Sequence, residues 1–203
     1  MASVDLFTGI HKAVRNMLFT TGVKIQSLDA ENAEERASLM EDIDTILELF
    51  REHASNEDTL IFPIVMAEAP GLAAALDAEH RSHAVVVASL VDARDRFATA
   101  PDSAGRVVTL SKLRHVYFDF VAEHLLHMNH EEREMLPATQ RLATDEQLSD
   151  VLRRIIGGMP PERNAQWMHW MIPALAPQEL AAMLRGLVAA PPQMLETVER
   201  IAA

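Results

Sequence analysis

The stretch His53-Ala-Ser-Asn-Glu57-Asp-Thr-Leu-Ile-Phe-Pro63 recurs 74 residues later as His127-Met-Asn-His-Glu131-Glu-Arg-Glu-Met-Leu-Pro137. Both copies read His-x3-Glu-x5-Pro. A histidine and a glutamate four residues apart lie on one face of a helix, about 6 Å apart along its axis. Each copy therefore offers an imidazole nitrogen and a carboxylate oxygen to one point.

Four amphipathic helices carry these motifs. Apolar residues recur at helical spacing in segments that begin near residues 4, 32, 71 and 103, and the second and fourth segments lead into the two motifs. Asn32, followed by Glu35, is predicted to cap the second helix, and Asp102 or Ser103 the fourth. Because Pro63 has no N–H to donate, it is expected to kink or end its helix.

The first and third helices each place a histidine among their apolar residues. His11 lies in the stripe of Phe7 and Val14, and His80 shares a face with Leu76. A lone histidine on such a face is more often held by a structural hydrogen bond than by a metal. Four helices that each bring a histidine to a core face make coincidence a weak explanation, since such groups are costly to bury without partners.

Two helical hairpins that pack as an antiparallel bundle would bring the four faces together. The candidate ligands are then two lone histidines and two His-Glu pairs, a set that suits an iron pair. They are His11, His53, Glu57, His80, His127 and Glu131.

Other pairings of the histidines on the fourth helix need weighing. His124, His127 and His130 lie close together, and His130 stands four residues before Glu134. The pair His127 and Glu131 is preferred because only this pair matches the spacing of the first copy from its proline. The acid after each motif glutamate, Asp58 or Glu132, is expected to be solvated or to support a ligating imidazole from behind the site.

Composition excludes several classes of function. The 203 residues carry a net charge of −12 without a long basic cluster, which argues against a nucleic-acid partner. The absence of cysteine excludes disulfides and thiolate ligands. The longest apolar run, residues 84–91, is too short to cross a membrane, and Asp5 interrupts any signal-like amino terminus. We therefore expect a cytoplasmic protein without a membrane span.

Taken together, these residues resemble the hemerythrin-like, or HHE cation-binding, domain family over roughly residues 3–142. The resemblance implies an all-α, up-and-down four-helix bundle around a carboxylate- and oxygen-bridged di-iron centre. It also implies that two iron ions bind or sense dioxygen, nitric oxide or iron, which favours a binding protein over an enzyme.

The sequence departs from the oxygen-carrying members of that family. Those proteins place two histidines four apart on the third helix, where the positions around His80 are Leu76 and Ala84. They also use an aspartate five residues after the fourth-helix histidine, where this chain has Glu131 at four. His83 is a possible additional ligand, although an exposed or hydrogen-bonded histidine is about as common.

Three functions stay open from the sequence. The first is the sensor or binding protein, the second a di-iron oxidase or peroxidase, and the third a helical interaction protein with a structural metal. The Glu-x-x-His pattern of ferritin-like bundles has only Asp77-x-x-His80 as a near match, which argues against that family.

The chain changes character after Pro137. We divide it into a bundle over residues 1–142 and an extension of short, proline-separated helices over 143–203. Apolar residues of the extension are expected to cover the bundle or form a homodimer interface, whereas His169 is expected to be structural or exposed. The expected apolar residues are Trp167, Met168, Trp170, Met171, Leu180, Met183, Leu184, Leu187, Met194 and Leu195.

Overall fold

The computed structural model describes residues 4–66 and 68–188, which are almost entirely helical and contain no strand. This confirms the predicted all-α class. The helices follow in the order α1 (Thr8–Ser27), α2 (Ala33–Asn56), α3 (Phe62–Met66), α4 (Pro70–Ala98), α5 (Ser103–His130), α6 (Leu136–Leu142), α7 (Asp145–Gly158), α8 (Pro161–Met171) and α9 (Pro177–Val188).

Three short helical segments of other types lie between or after these α-helices. A first π segment, Glu57–Ile61, joins α2 to α3, and a second, Glu131–Met135, joins α5 to α6. A 3₁₀ turn, Ile172–Ala174, follows α8. Among the described residues, no helix is both long and apolar enough to cross a membrane.

The predicted caps are present. Asn32 accepts hydrogen bonds from the N–H groups of Glu34 and Glu35 at 3.0 and 3.2 Å. Glu35 accepts in turn from the N–H of Asp29 at 3.0 Å, so the reciprocal bond reaches back past the cap residue. Asp102 caps α5 through the N–H of Gly105 at 2.7 Å. These bonds satisfy N–H groups that have no partner within the helix.

The chain divides into two compact units, one of residues 17–144 and one of residues 1–16 with 145–203. Helix α1 contributes residues to both. The predicted domain division at 142/143 and the up-and-down order of four helices stay predictions.

The core of unit 17–144 is built from the apolar faces of α1, α2, α4 and α5. Because only a short turn separates α4 from α5, they are antiparallel neighbours, and they pack along much of their length. Tyr117 of α5 is fully buried, and its hydroxyl donates to the carbonyl of Leu18 in α1 at 2.8 Å. Arg114 donates to the carbonyls of Ile25 and Gln26, which lie in the last turn of α1. These bonds fix α5 against this end of α1.

The second unit joins the start of α1 to helices α7, α8 and α9. Lys12 pairs with Glu179 at 2.5 Å, and the side-chain amide of Asn16 donates to the carbonyl of Trp170 at 2.9 Å. Trp167 is buried and Leu184 is exposed. The expected cover over the bundle or a dimer interface stays a prediction, and Met194 and Leu195 lie outside the described residues.

Candidate metal centre

Each His-x3-Glu motif is followed by a π segment that begins at its glutamate. The N–H of Phe62 bonds to the carbonyl of Glu57, and that of Leu136 to the carbonyl of Glu131, five residues back in each case. The next residue is a proline, Pro63 or Pro137, which has no N–H for the ordinary four-residue bond. Pro63 was expected to kink or end its helix, but α3 continues through Pro63 to Met66. Before the proline the backbone widens by one residue, a distortion that is frequent at functional sites.

The first motif places Glu57 between two histidines. Oε1 of Glu57 lies 3.0 Å from Nε2 of His53, and Oε2 lies 3.6 Å from Nε2 of His80. Glu57 is 1% exposed, so this carboxylate is removed from water. Each of its oxygens thus faces a different imidazole, one on α2 and one on α4.

The second motif meets the same place from α5. Nε2 of His127 lies 2.8 Å from Nε2 of His80 and 3.4 Å from Oε1 of Glu131. Glu131 is fully buried and His127 nearly so. One ligand atom from each of Glu57, His80, His127 and Glu131 lies within 4.8 Å of the others, an arrangement able to hold a metal ion.

Two further carboxylates orient the imidazoles from behind. The Nδ1–H of His80 donates to Asp58 at 2.9 Å, and that of His127 donates to Glu79 at 2.7 Å. The other oxygen of Glu79 accepts from Nδ1 of His130, also at 2.7 Å. Because Nδ1 of His80 and of His127 donates to a carboxylate, Nε2 is the ring nitrogen that each histidine can offer to a metal. Phe62, just after the first π segment, stacks on His80 with ring centroids 5.2 Å apart.

The distances between these ligand atoms match those around an octahedral metal ion. Ligands at adjacent corners of an octahedron, each about 2.1 Å from the metal, lie about 3 Å apart. The separations of 2.8 Å between the two Nε2 atoms, 3.0 Å for His53 to Glu57 and 3.4 Å for His127 to Glu131 bracket that value. Nitrogen and carboxylate donors suit iron and other first-row metals.

The electrostatics of the cluster also favour a cation. Burial lowers the pKa of His127, but the carboxylates of Glu131, Glu79 and Glu57 outweigh it and raise that pKa to about 9. Burial raises the pKa of Glu79, yet its bonds to His127 and His130 hold it below the ordinary value. At neutral pH a proton therefore occupies His127, and a metal must displace it.

Two more histidines border the cluster but stay neutral. Burial, with the nearby imidazoles adding to it, lowers the pKa of His83 to about 4 and that of His124 to about 3. Their rings stack with centroids 4.3 Å apart, and the ring of His83 lies 4.7 Å from that of His127. His83 is not among the four clustered ligands, and its coordination of a metal stays a prediction.

The other candidate residues from the sequence differ in burial and in contacts. His11 is completely buried on α1, within the other compact unit, and its role as a ligand stays a prediction. On α5, His130 is partly exposed and Glu134 is exposed, whereas Glu131 is fully buried, which favours the preferred pair over the alternative. His169 is exposed. Asp58 supports His80 as its position after Glu57 suggested.

Neither the contact of Glu79 with His127 nor the two π segments was predicted from the sequence. Glu79 stands one residue before His80, so periodicity alone would aim it away from that ligand; its partners are on α5, and the long-range packing decides its role. The π segments did have a signal, because each proline follows its motif glutamate by six residues and removes the same backbone donor in both copies.

The family model described as "Hemerythrin HHE cation binding domain" matches residues 2–138. No curated protein and no solved structure is significantly similar to the chain.

Proposed function

The chain belongs to the hemerythrin HHE cation-binding domain family, and we propose that it is a non-heme di-iron protein that binds or senses a small ligand such as dioxygen or nitric oxide. The ligands would be His11, His53, Glu57, His80, His127 and Glu131. Family membership and the described His-Glu cluster support cation binding; two ions and their identity as iron are our proposal.

The observation that carries the proposal is the position of Glu57. Its two oxygens face histidines of two different helices, His53 at 3.0 Å and His80 at 3.6 Å. A carboxylate that served one ion would have no need of separate imidazoles at each oxygen. A carboxylate shared by two ions needs this arrangement, because each ion then takes one oxygen and one nitrogen.

Counting ligands shows why small molecules are the expected partners. Six protein ligands, with both glutamates shared, give each ion four donors, and octahedral iron accepts about six. When bound, an iron pair supplies exchangeable coordination positions and a redox couple for a diatomic ligand. The protein's own residues prepare the site: Asp58 and Glu79 orient the imidazoles, and Glu57 and Glu131 are buried from water.

Anaerobic loading with Fe(II), followed by air and then by azide or nitric oxide, tests the proposal. We expect an optical spectrum of a paired ferric site that shifts on addition of either ligand. His83→Ala should keep that response or increase the number of ligands bound, while His169→Ala serves as a matched histidine control. A spectrum that ignores both ligands would reduce the metal to a structural role.

A di-iron oxidase or peroxidase is the second candidate, because a cleft reaches the clustered ligands. Its walls include His53, Glu57, His80 and His127. Steady turnover of peroxide by the iron-loaded protein, lost in Glu57→Ala, would favour this function over sensing. Single-equivalent reaction without turnover would favour the sensor.

A further inference from the structure

A cleft of about 540 Å³ opens beside the candidate metal centre, within unit 17–144, between α2, α4 and α5. Dioxygen and nitric oxide are diatomic and need only a small fraction of that space, whereas 300–1,000 Å³ is the range of sites for small organic molecules. The cleft is therefore larger than the proposed function requires.

The cleft wall is mainly apolar. Seven side chains without charge or a strong hydrogen-bonding group line it: Leu47, Phe50, Ala54, Ala84, Val87, Val91 and Met128. Removing the apolar body of a ligand from water against such a wall stabilises its complex in proportion to the area buried.

Apart from the candidate metal ligands, the charged groups in the lining balance one another. Asp44 and Glu48 supply two negative charges, and Arg51 and Arg94 supply two positive ones. Arg94 is already paired with Asp44 at 3.1 Å and with Asp95 at 3.2 Å. A charged ligand would gain little from this lining, so it favours a neutral one.

One polar atom in the wall can accept a hydrogen bond from a ligand. His124 is only 5% exposed, and its Nδ1–H donates to the carbonyl of Phe120 at 2.8 Å. In the neutral ring Nε2 is then an acceptor. A hydroxyl in the cleft can donate to this nitrogen.

Aromatic groups pack against the ring of His124. The ring of His124 packs edge-on against Phe50 at 4.4 Å between centroids and stacks on His83 at 4.3 Å. Aromatic rings attract further rings in offset or edge-on contacts, worth about 0.5–1.5 kcal/mol beyond their buried area. A ring-shaped ligand suits this end of the cleft better than a flexible chain.

We propose that the cleft binds a small neutral phenol, with its ring against Phe50 and Val87 and its hydroxyl donating to Nε2 of His124. The site deepens the proposed function because it would bring an organic molecule beside the iron ligands. It does not require iron for binding, so the two proposals can fail separately.

Isothermal titration calorimetry of the full chain tests this with three probes: phenol, anisole and benzoate. Anisole keeps the ring and oxygen but has no donor, and benzoate is an anion of similar size. We expect saturable binding of one phenol per chain, at least fivefold weaker binding of anisole, and weaker binding of benzoate as well. Equal affinity for phenol and anisole, tighter binding of benzoate, or no saturation with phenol would overturn the proposal.

Two variants locate the site. Val87→Phe should fill the cleft and weaken phenol binding at least tenfold, and His124→Phe should abolish the difference between phenol and anisole. Thr109→Val on α5, away from the cleft lining, is the control for general effects. Thermal unfolding checks that each variant folds. If His124→Phe does not fold, Val87→Phe still tests the site, because Val87 is only half-buried. Unchanged phenol affinity in folded Val87→Phe would overturn the assignment, whatever the iron content.

Discussion

Replacing Glu79 with glutamine tests how the imidazoles of the centre are oriented. Glu79 accepts from Nδ1 of His127 and from Nδ1 of His130, both at 2.7 Å. Glutamine has one oxygen, so it can accept from only one of these rings, and its amide N–H faces the nitrogen of the other. Loss of the carboxylate also removes the charge that favours a basic, correctly protonated His127.

The expected loss is about tenfold in metal affinity. Groups that orient a ligating histidine typically contribute 10–100-fold, or about 1.4–2.7 kcal/mol. The side chain of Glu79 is 35% exposed, and solvent screening therefore favours the lower end of that range.

Anaerobic Fe(II) titration in competition with a chromophoric chelator measures this affinity. Asp77→Asn is the matched control, because it neutralises an exposed carboxylate two residues earlier on α4 that pairs with Arg81. His130→Gln should have a smaller effect than Glu79→Gln, since it leaves the bond to His127 intact. Wild-type affinity in Glu79→Gln, or an equal loss in Asp77→Asn, would refute the proposed orienting role.

Three further predictions distinguish residues that bind metal from residues that stabilise the fold. Glu57→Ala and Glu131→Ala should each lose the paired site, because the like charges of two cations would no longer be bridged. His169→Ala should keep its full metal content, measured by plasma mass spectrometry. Equal metal content in all three variants would reject the ligand assignment. In metal-free protein the pKa of His124 is about 3 in the folded state, against 6.5 in the unfolded chain, so the unfolded state binds the proton at higher pH. The free energy of unfolding should therefore fall by up to about 1.4 kcal/mol per pH unit as the pH drops below 6.5. Urea unfolding should show a shallower slope in His124→Asn, and parallel slopes would contradict that pKa. Tyr117→Phe leaves the carbonyl that accepts its hydroxyl without that donor and should lower the free energy of unfolding by about 1–2 kcal/mol, with unchanged metal content; a lost metal site would contradict its structural role.

The parts of the fold that depend on local sequence were predictable. Helical class followed from apolar spacing, and the cap at Asn32 followed from a side chain that can reach N–H groups two and three residues ahead. The second acid, Asp58, was expected either to be solvated or to support a ligating imidazole, and it contacts His80. The helical class and the cap depend on short separations along one helix.

The parts that depend on packing between helices were not predictable. Glu79 and His124 act through neighbours on other helices or through a cleft that forms only when α2, α4 and α5 come together. Pro63 was expected to kink or end its helix, whereas the helical backbone continues to Met66 because a single-residue expansion accommodates the missing donor. The matching π segment before Pro137 shows that the solution is repeated in the second motif.

The most direct test of the paired centre is the metal content of the full chain. The protein is loaded anaerobically with Fe(II), freed of excess metal, and analysed for iron and zinc against protein concentration from amino-acid analysis. If Glu57 bridges two ions as proposed, the protein should hold two iron ions per chain, bound together rather than in separable steps. One iron per chain, or zinc retained in preference to iron, would contradict the di-iron assignment.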